Sequence, residues 1–106
     1  MIVRIWHGWT TIPDAPTYEA LLKSEIIPGI LARRVEGFEG IELLRRDIGE
    51  EVEFITVMRF CSIDAVKAFS GEDYEVAVVP PKARAVLARF DARSQHYEEA
   101  LPLTRP

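Results

Sequence analysis

The sequence predicts an α+β sandwich of the ferredoxin-like type, and three observations carry that prediction. Apolar residues alternate in four segments and follow helical spacing in two others, in the order strand, helix, strand, strand, helix, strand. Segments 40–48 and 51–60 are joined by a short Gly49-Glu50 turn and therefore predict a β-hairpin. Right-handed crossovers then favour one antiparallel sheet of order 4-1-3-2, with both helices on the same face.

The first strand and the first helix are predicted in the N-terminal third of the chain. Residues 2–10 are rich in β-branched and aromatic side chains, which favour a strand. Asp14 is the predicted N-cap of the helix, and Pro16 is tolerated in its first turn. Pro28-Gly29 is predicted to end or kink this helix, and residues 30–34 are expected to add one more turn.

The second helix and the last strand follow the hairpin. Ser62 is the predicted N-cap of a helix that ends near Ser70-Gly71. Residues 72–79 are compatible with either a helical or an extended conformation. Pro81 favours the start of a short helix through Leu87. Residues 89–97 alternate as one final strand.

Composition bounds the class of protein. The chain has 106 residues, of which 48% are hydrophobic and 28% are charged, so we expect one globular domain over residues 1–106. Thirteen basic residues against 17 acidic ones, without a basic cluster, argue against a nucleic-acid partner. A single cysteine, Cys61, and the lack of a targeting or membrane-spanning segment predict a cytoplasmic protein.

Both faces of the predicted sheet are apolar. We expect one face to pack on the helices, through the residues Val3, Ile5, Val52, Phe54, Met58, Phe60, Phe90 and Ala92. The other face is expected to carry Ile2, Trp6, Leu44, Ile55, Val57 and Tyr97, mixed with charged residues. Because such a patch usually marks an association surface, we predict a homodimer in which two sheets pack face to face. The alternative is a monomer with a half-polar open face.

Three segments carry a resemblance to a known family. They are the opening Met1-Ile2-Val3-Arg4-Ile5-Trp6-His7-Gly8, the strand-to-helix step from Arg59 to Phe69, and the closing Ser94-Gln95-His96-Tyr97-Glu98. The chain resembles the antibiotic-biosynthesis-monooxygenase-like domains of the dimeric α/β-barrel superfamily. The resemblance covers nearly the whole chain, and it specifies the fold better than the reaction, because that superfamily contains several chemistries.

The resemblance implies a pocket between sheet and helices, and oxygen chemistry without a flavin or a metal. The quinone-forming and haem-degrading members both place an Asn in that pocket, whereas this chain contains no Asn. The haem-degrading members also use a Trp just before the second helix and a His on that helix. This chain has Phe60 at the first position and Ala77-Val78-Val79-Pro80 near the second, so the haem-degrading pattern is not matched.

His7 and His96 are the two histidines of the chain, and alternation predicts that both face the helices. We expect His7 to act as the catalytic base, since imidazole is the usual proton acceptor near neutral pH. The alternative for each is a packed histidine with one hydrogen bond. We expect no metal site, because the two histidines should lie near opposite ends of neighbouring antiparallel strands.

The predicted substrate-binding residues are Trp9, Phe54, Phe60, Tyr74 and His96. Trp9, Phe54 and Phe60 would form the apolar walls of the pocket. The alternative is that these aromatic side chains pack in the core. Tyr74 or His96 would orient a substrate oxygen, and the alternative for Tyr74 is a surface tyrosine. Cys61 is expected to be a small buried residue rather than a nucleophile.

These residues lead to three functional hypotheses. The first is a cofactor-independent monooxygenase-like enzyme acting on a flat phenol or quinol. The second is a non-catalytic dimeric module that binds a ligand or takes part in a stress response. The third is haem binding through His7 or His96 without degradation.

Overall fold

The computed structural model describes residues 1–106 and contains one antiparallel sheet with helices on one of its faces. Its elements are β1 (Ile2–Thr11), α1 (Ala15–Leu21), a π-helical segment (Leu22–Ile26), α2 (Ile27–Ala32), β2 (Phe38–Asp47), β3 (Glu51–Phe60), α3 (Ile63–Ser70), α4 (Pro81–Val86), β4 (Arg89–Phe90) and β5 (Gln95–Glu98). The sheet order is β2-β3-β1-β4, and β5 also pairs with β1. This order confirms the predicted ferredoxin-like α+β fold.

The central pair of strands is regular, whereas the last strand is split. Strands β1 and β3 pair over their whole length, from Ile2 opposite Phe60 to Thr11 opposite Glu51. Segment 89–97 was predicted as one strand, but only Arg89–Phe90 and Gln95–Glu98 pair with β1. Between them the chain turns to the irregular segment that precedes α4, and Arg93 forms an isolated bridge with Val76.

The first helix continues past the proline that was predicted to end or kink it. Pro28 lies in the first turn of α2, directly after the π-helical segment. Proline lacks an N–H and its ring clashes with the carbonyl four residues earlier, so a wider turn before it relieves the conflict. Asp14 occupies the predicted N-cap position, but its side chain makes no capping hydrogen bond.

Helix α3 begins and ends as predicted. The Ser62 hydroxyl accepts a hydrogen bond from the Ala65 N–H at 3.2 Å, which satisfies one free donor of the first turn. Gly71 ends the helix with a φ of 93°, a value that favours glycine. Residues 72–79, whose conformation the sequence left open, form no helix and lead through Pro80 into α4.

The core consists of two clusters under the helices. One centres on Tyr18 and Phe54, whose rings meet edge to face at 4.9 Å. The other centres on Phe60, which packs between Phe38 and Phe69. No helix of the protein is long and apolar enough to cross a membrane.

The predicted faces are right for β3 and wrong for β1. Val52, Phe54, Met58 and Phe60 face the helices and are buried, as expected. In β1, however, the residues opposite them in the register are Ile2, Arg4, Gly8 and Thr10, together with Trp6 opposite Thr56. Val3, Ile5, His7 and Trp9 therefore lie on the outer face. Both faces of β1 carry apolar residues, so alternation within that strand could not decide the orientation.

Candidate functional site

A pocket lies between the sheet and the helices, where the fold class leads one to expect it. It has a volume of about 60 Å³, and 12 of its 16 lining residues are hydrophobic. The sheet contributes Trp6 and Met58, and the first helical region contributes Leu22 and Ile26 from its π-helical segment. Val79 closes the pocket from the irregular segment before α4. The site is thus an apolar slot between the sheet and the helical region that contains the π-helical segment.

Polar groups are few and none is acidic. The pocket is lined by Arg4, by the hydroxyl residues Tyr18, Thr56 and Ser94, and otherwise by apolar residues and Trp6. Burial raises the pKa of the Tyr18 phenol, so this hydroxyl stays protonated in the physiological range. Arg4 is therefore the one charged group in contact with the cavity.

Arg4 is held by neutral partners. Its residue is 3% exposed, and its guanidinium donates to the carbonyl oxygens of Tyr74 and Val76 and to Nε2 of His96. The guanidinium also lies over the Phe69 ring, 5.6 Å from the ring centre. Burial lowers the pKa of Arg4 to about 10, which still leaves the side chain protonated at neutral pH.

His96 is held in one neutral form beside that charge. A guanidinium only donates, so Nε2 of His96 must accept at 2.9 Å, and the ring proton is placed on Nδ1. Burial, and then the charge of Arg4, lower the pKa of His96. Its Nδ1 is buried and has no hydrogen-bond partner. The Tyr74 ring meets the imidazole edge to face at 5.0 Å.

Trp6 is fixed in the pocket wall by a hydrogen bond and by close packing. Its indole Nε1 donates to the Asp91 carbonyl at 2.7 Å. Gly8 makes room for this arrangement: a Cβ there would lie 3.0 Å from the Leu87 side chain and 3.1 Å from the Trp6 ring. Glycine at position 8 therefore leaves room for the Trp6 indole beside the Leu87 side chain.

The structure places His7 outside the pocket, on the outer face of the sheet. There its Nδ1 contacts the Glu53 carboxylate at 3.2 Å, and Trp9 stacks on the imidazole at 5.9 Å between ring centres. Hydrogen bonds first from Arg46 and then from His7 lower the pKa of Glu53. The expectation that His7 and Trp9 face the helices is wrong because β1 has the opposite orientation. The pocket therefore gives no support to the catalytic role predicted for His7.

The other predicted site residues divide into two groups. Phe54 and Phe60 face the helices but are fully buried in the core clusters and do not line the cavity. The Tyr74 carbonyl and the His96 imidazole both contact the Arg4 guanidinium, and neither residue lines the cavity. Cys61, expected to be buried, is exposed.

Sequence reasoning missed the residues that define the pocket, namely Arg4, Trp6 and Ser94. Arg4 and Trp6 were assigned to the outer face with the rest of their alternation set. The available signal was in β3, whose apolar face is unambiguous: its pairing with β1 places Arg4 opposite Met58. Ser94 gave no signal because it lies in the break between the two halves of the last strand.

The two histidines are not placed to act together on an ion. His96 lies beside Arg4 on the helix-facing side, and His7 lies on the outer face. No group of three or more His, Cys, Asp and Glu side chains is arranged to hold a metal ion. Neither imidazole lines the pocket, so the arrangement does not fit haem ligation there.

Solved structures share this fold over nearly the full length of the chain. One is a candidate antibiotic biosynthesis monooxygenase from Bacillus cereus, with a TM-score of 0.64, 14% identity, and coverage of 99% of this chain and 96% of that one. Another is MhuD from Mycobacterium tuberculosis, a haem degrader with two haems in its active site; the TM-score is 0.59, the identity 21% and the coverage 98% and 100%. No protein-family model and no curated protein matches the chain.

Proposed function

We propose that the protein is a monooxygenase-like enzyme that binds a flat aromatic substrate of the phenol or quinol type in the pocket between sheet and helices. The observation that supports this proposal is the apolar slot itself, in a fold shared with a candidate antibiotic biosynthesis monooxygenase. A slot of this kind suits a planar ring, because the apolar walls bury the ring faces and exclude water.

The proposed reaction needs only the substrate and dioxygen. A phenol that becomes a quinone gives up four electrons: one oxygen atom of O₂ enters the ring carbon, and the other leaves as water with the two hydrogens removed from the substrate. The protein would hold the ring, keep bulk water away from the intermediate and stabilise the substrate anion that reduces oxygen.

The size of the pocket places a condition on this reaction. Its volume of about 60 Å³ is below the roughly 150 Å³ of a cavity known to admit benzene. An aromatic substrate therefore requires the walls to part. Val78, Val79 and Pro80 form the wall that belongs to no helix or strand, so we propose that this wall moves when substrate enters.

The pocket contains no side-chain base, since none of its lining residues is Asp, Glu, His or Cys. The proposal therefore favours substrates that form their anion readily, such as anthrones through enolisation. The same observation supports a second candidate function, a binding module that holds an aromatic ligand without turning it over. Oxygen consumption separates the two.

We propose that two copies of the chain pair through the outer face of the sheet. Val3 and Ile5 replace the expected Ile2 and Trp6 on this face, where Ile55 and Val57 also lie. Leu44 and Tyr97 on the same face are 48% and 54% exposed. This apolar surface supports the homodimer that the sequence predicts.

Oxygen uptake tests the proposed activity. The purified protein would be assayed in an oxygen electrode against a panel of anthrones and hydroquinones. Trp6→Phe alters the pocket wall, whereas Trp9→Phe makes the same change on the opposite face of the same strand. We expect uptake above the uncatalysed rate, a loss of about tenfold in kcat/KM for Trp6→Phe, as for other imperfect pocket fits, and little change for Trp9→Phe. His7→Ala should retain turnover.

Uptake that is equally sensitive to both Trp variants, or that disappears in His7→Ala, would contradict the assignment of the pocket. Binding of panel compounds without any uptake would support the binding module instead.

A further inference from the structure

The charge of Arg4 has no counter-charge in the protein. Every acidic side chain lies beyond 4.0 Å of its guanidinium, which takes part in no ion pair. Its contacts are two carbonyl oxygens, a neutral imidazole and an aromatic ring. A buried charge is normally paired, because removing it from water costs free energy that only an opposite charge largely restores. The pocket is therefore positively charged at one end.

Part of the guanidinium is unused. The three hydrogen bonds take both N–H groups of Nη1 and one of Nη2. Since a guanidinium has five N–H groups, the one on Nε and the second on Nη2 have no protein acceptor. Two donors on adjacent nitrogens match the two oxygens of a carboxylate better than a single hydroxyl oxygen.

A second polar group is left without a partner at the same end of the pocket. Ser94 lines the cavity and is 3% exposed, and its Oγ makes no hydrogen bond. The Ser94 N–H binds the Glu75 carbonyl, between the two carbonyls that Arg4 holds. Arg4 and Ser94 thus both line the cavity and both donate to carbonyls of segment 74–76. A buried hydroxyl without a partner needs an explanation, and a ligand oxygen supplies one.

We propose that the ligand of this pocket is an aromatic carboxylic acid, whose carboxylate binds Arg4 and Ser94 while its ring occupies the apolar slot. The inference rests on the proposed use of the same pocket and narrows its substrate class to hydroxylated aromatic acids. The charge of the ligand compensates the charge of Arg4, and most of the remaining lining residues are hydrophobic.

A purely structural role does not account for this arrangement. Holding the carbonyls of Tyr74 and Val76 requires N–H donors but no charge, and those carbonyls leave the Nε donor free. Arg33 is an arginine that has only structural contacts with the same Phe69 ring. Its guanidinium lies 4.8 Å from the ring centre and donates to the Phe69 carbonyl, but Arg33 does not line the pocket. It provides a matched control.

Calorimetric titration tests the proposal with two pairs of probes that have the same ring and differ in charge: benzoate with benzamide, and 2-naphthoate with 2-naphthamide. We expect each acid to bind the wild-type protein at least about tenfold more tightly than its amide, the usual advantage of a hydrogen-bonded charge. Equal affinities for acid and amide would overturn the proposal.

Three variants locate the charge that the acids recognise. Arg4→Met should remove the preference for the acid, whereas Arg33→Met should keep it. Arg4→Lys keeps the charge without the paired donors and should retain a reduced preference. Ser94→Ala deletes a hydroxyl that has no protein partner, so it should fold normally and weaken acid binding roughly three- to tenfold. If Arg4→Met does not fold, the Lys and Ala variants decide: wild-type affinity for the acids in both would overturn the proposal.

These titrations are independent of turnover and can be carried out without oxygen. Acid binding that depends on Arg4, in a protein that consumes no oxygen, would support the ligand class and contradict the enzyme. Oxygen uptake with neutral quinols, together with equal affinities for each acid and its amide, would support the enzyme and contradict the ligand class.

Discussion

At the scale of single residues, the polarity of the pocket depends on Arg4, whose orientation cannot be predicted from the sequence. Arg4 stands between Val3 and Ile5, a pattern that is equally typical of a surface arginine on a half-buried strand. Only the orientation of β1 makes it a buried cation, 3% exposed, at the end of an apolar slot. His7 is the converse case: its residue type predicted chemistry, and its position points it away from the pocket.

The neutral state of His96 leads to a prediction about stability. Burial and the neighbouring Arg4 lower the pKa of His96 below its usual value of 6.5, so below pH 6.5 the unfolded chain binds more protons than the folded one. Stability should therefore fall as the pH drops from 6.5 towards the lowered pKa, and level off below it. His96→Gln keeps an acceptor for Arg4 and should lose this part of the pH dependence.

Urea unfolding of both proteins, at a series of pH values from neutral to mildly acidic, measures the effect. The expected result is a steeper loss of unfolding free energy in the wild-type protein. Parallel profiles for the wild type and His96→Gln would show that His96 is not held neutral in the folded protein.

At the scale of elements, the strongly patterned segments could be predicted and the interrupted ones could not. Glu51–Phe60 places both of its aromatic side chains on one face, and its limits and that buried face match the structure. Segment 89–97 also alternates, but a bridge between Val76 and Arg93 breaks it, and that contact comes from a distant part of the chain. Local periodicity contains no information on such a contact. It also could not orient β1, whose two faces are both apolar.

Helix α2, which borders the pocket, contains a glycine whose replacement should change the stability of the protein. Gly29 lies inside α2 on the exposed side, and a Cβ there would meet nothing within 4 Å. Gly29→Ala should therefore raise the free energy of unfolding by about 0.5–1 kcal/mol, since alanine restricts the unfolded chain and favours the helix. Gly71→Ala is the matched change at a φ of 93° and should lower it by roughly 1 kcal/mol.

Chemical denaturation monitored by circular dichroism gives both values. A loss of stability in Gly29→Ala would contradict the regular helical backbone and the open space around Gly29.

At the scale of the whole molecule, the topology could be predicted because few arrangements satisfy the element order. One hairpin, two helices and right-handed crossovers leave the order 4-1-3-2, which is the order observed. The pocket follows from this architecture, since the helices leave a slot over β1 and β3. Its polarity does not follow from it, because polarity depends on which face of one strand is turned inward.

The outer face of the sheet carries the prediction about assembly. Ile55 lies on it, opposite His7 on one side and Leu44 on the other. If two copies pair through this face, the wild-type protein should have twice the chain mass of 12.0 kDa in solution. Ile55→Glu places an unpaired charge in that contact and should give the mass of a single chain.

Light scattering coupled to size-exclusion chromatography measures the mass, with Leu31→Glu as a control at an exposed apolar residue on α2. A single-chain mass for the wild type, or a dimer that Ile55→Glu leaves intact, would contradict pairing through this face.

The proposed reaction of oxygen with an aromatic substrate inside the pocket can be followed through the oxygen atom that the product gains. The most direct measurement is turnover of an anthrone under isotopically heavy oxygen gas, with mass analysis of the product and with Trp6→Phe and Trp9→Phe in parallel. We expect a quinone that carries one heavy oxygen atom, formed faster than without protein and slowed only by Trp6→Phe. A product without the label, or a rate that does not depend on the protein, would contradict the proposed reaction.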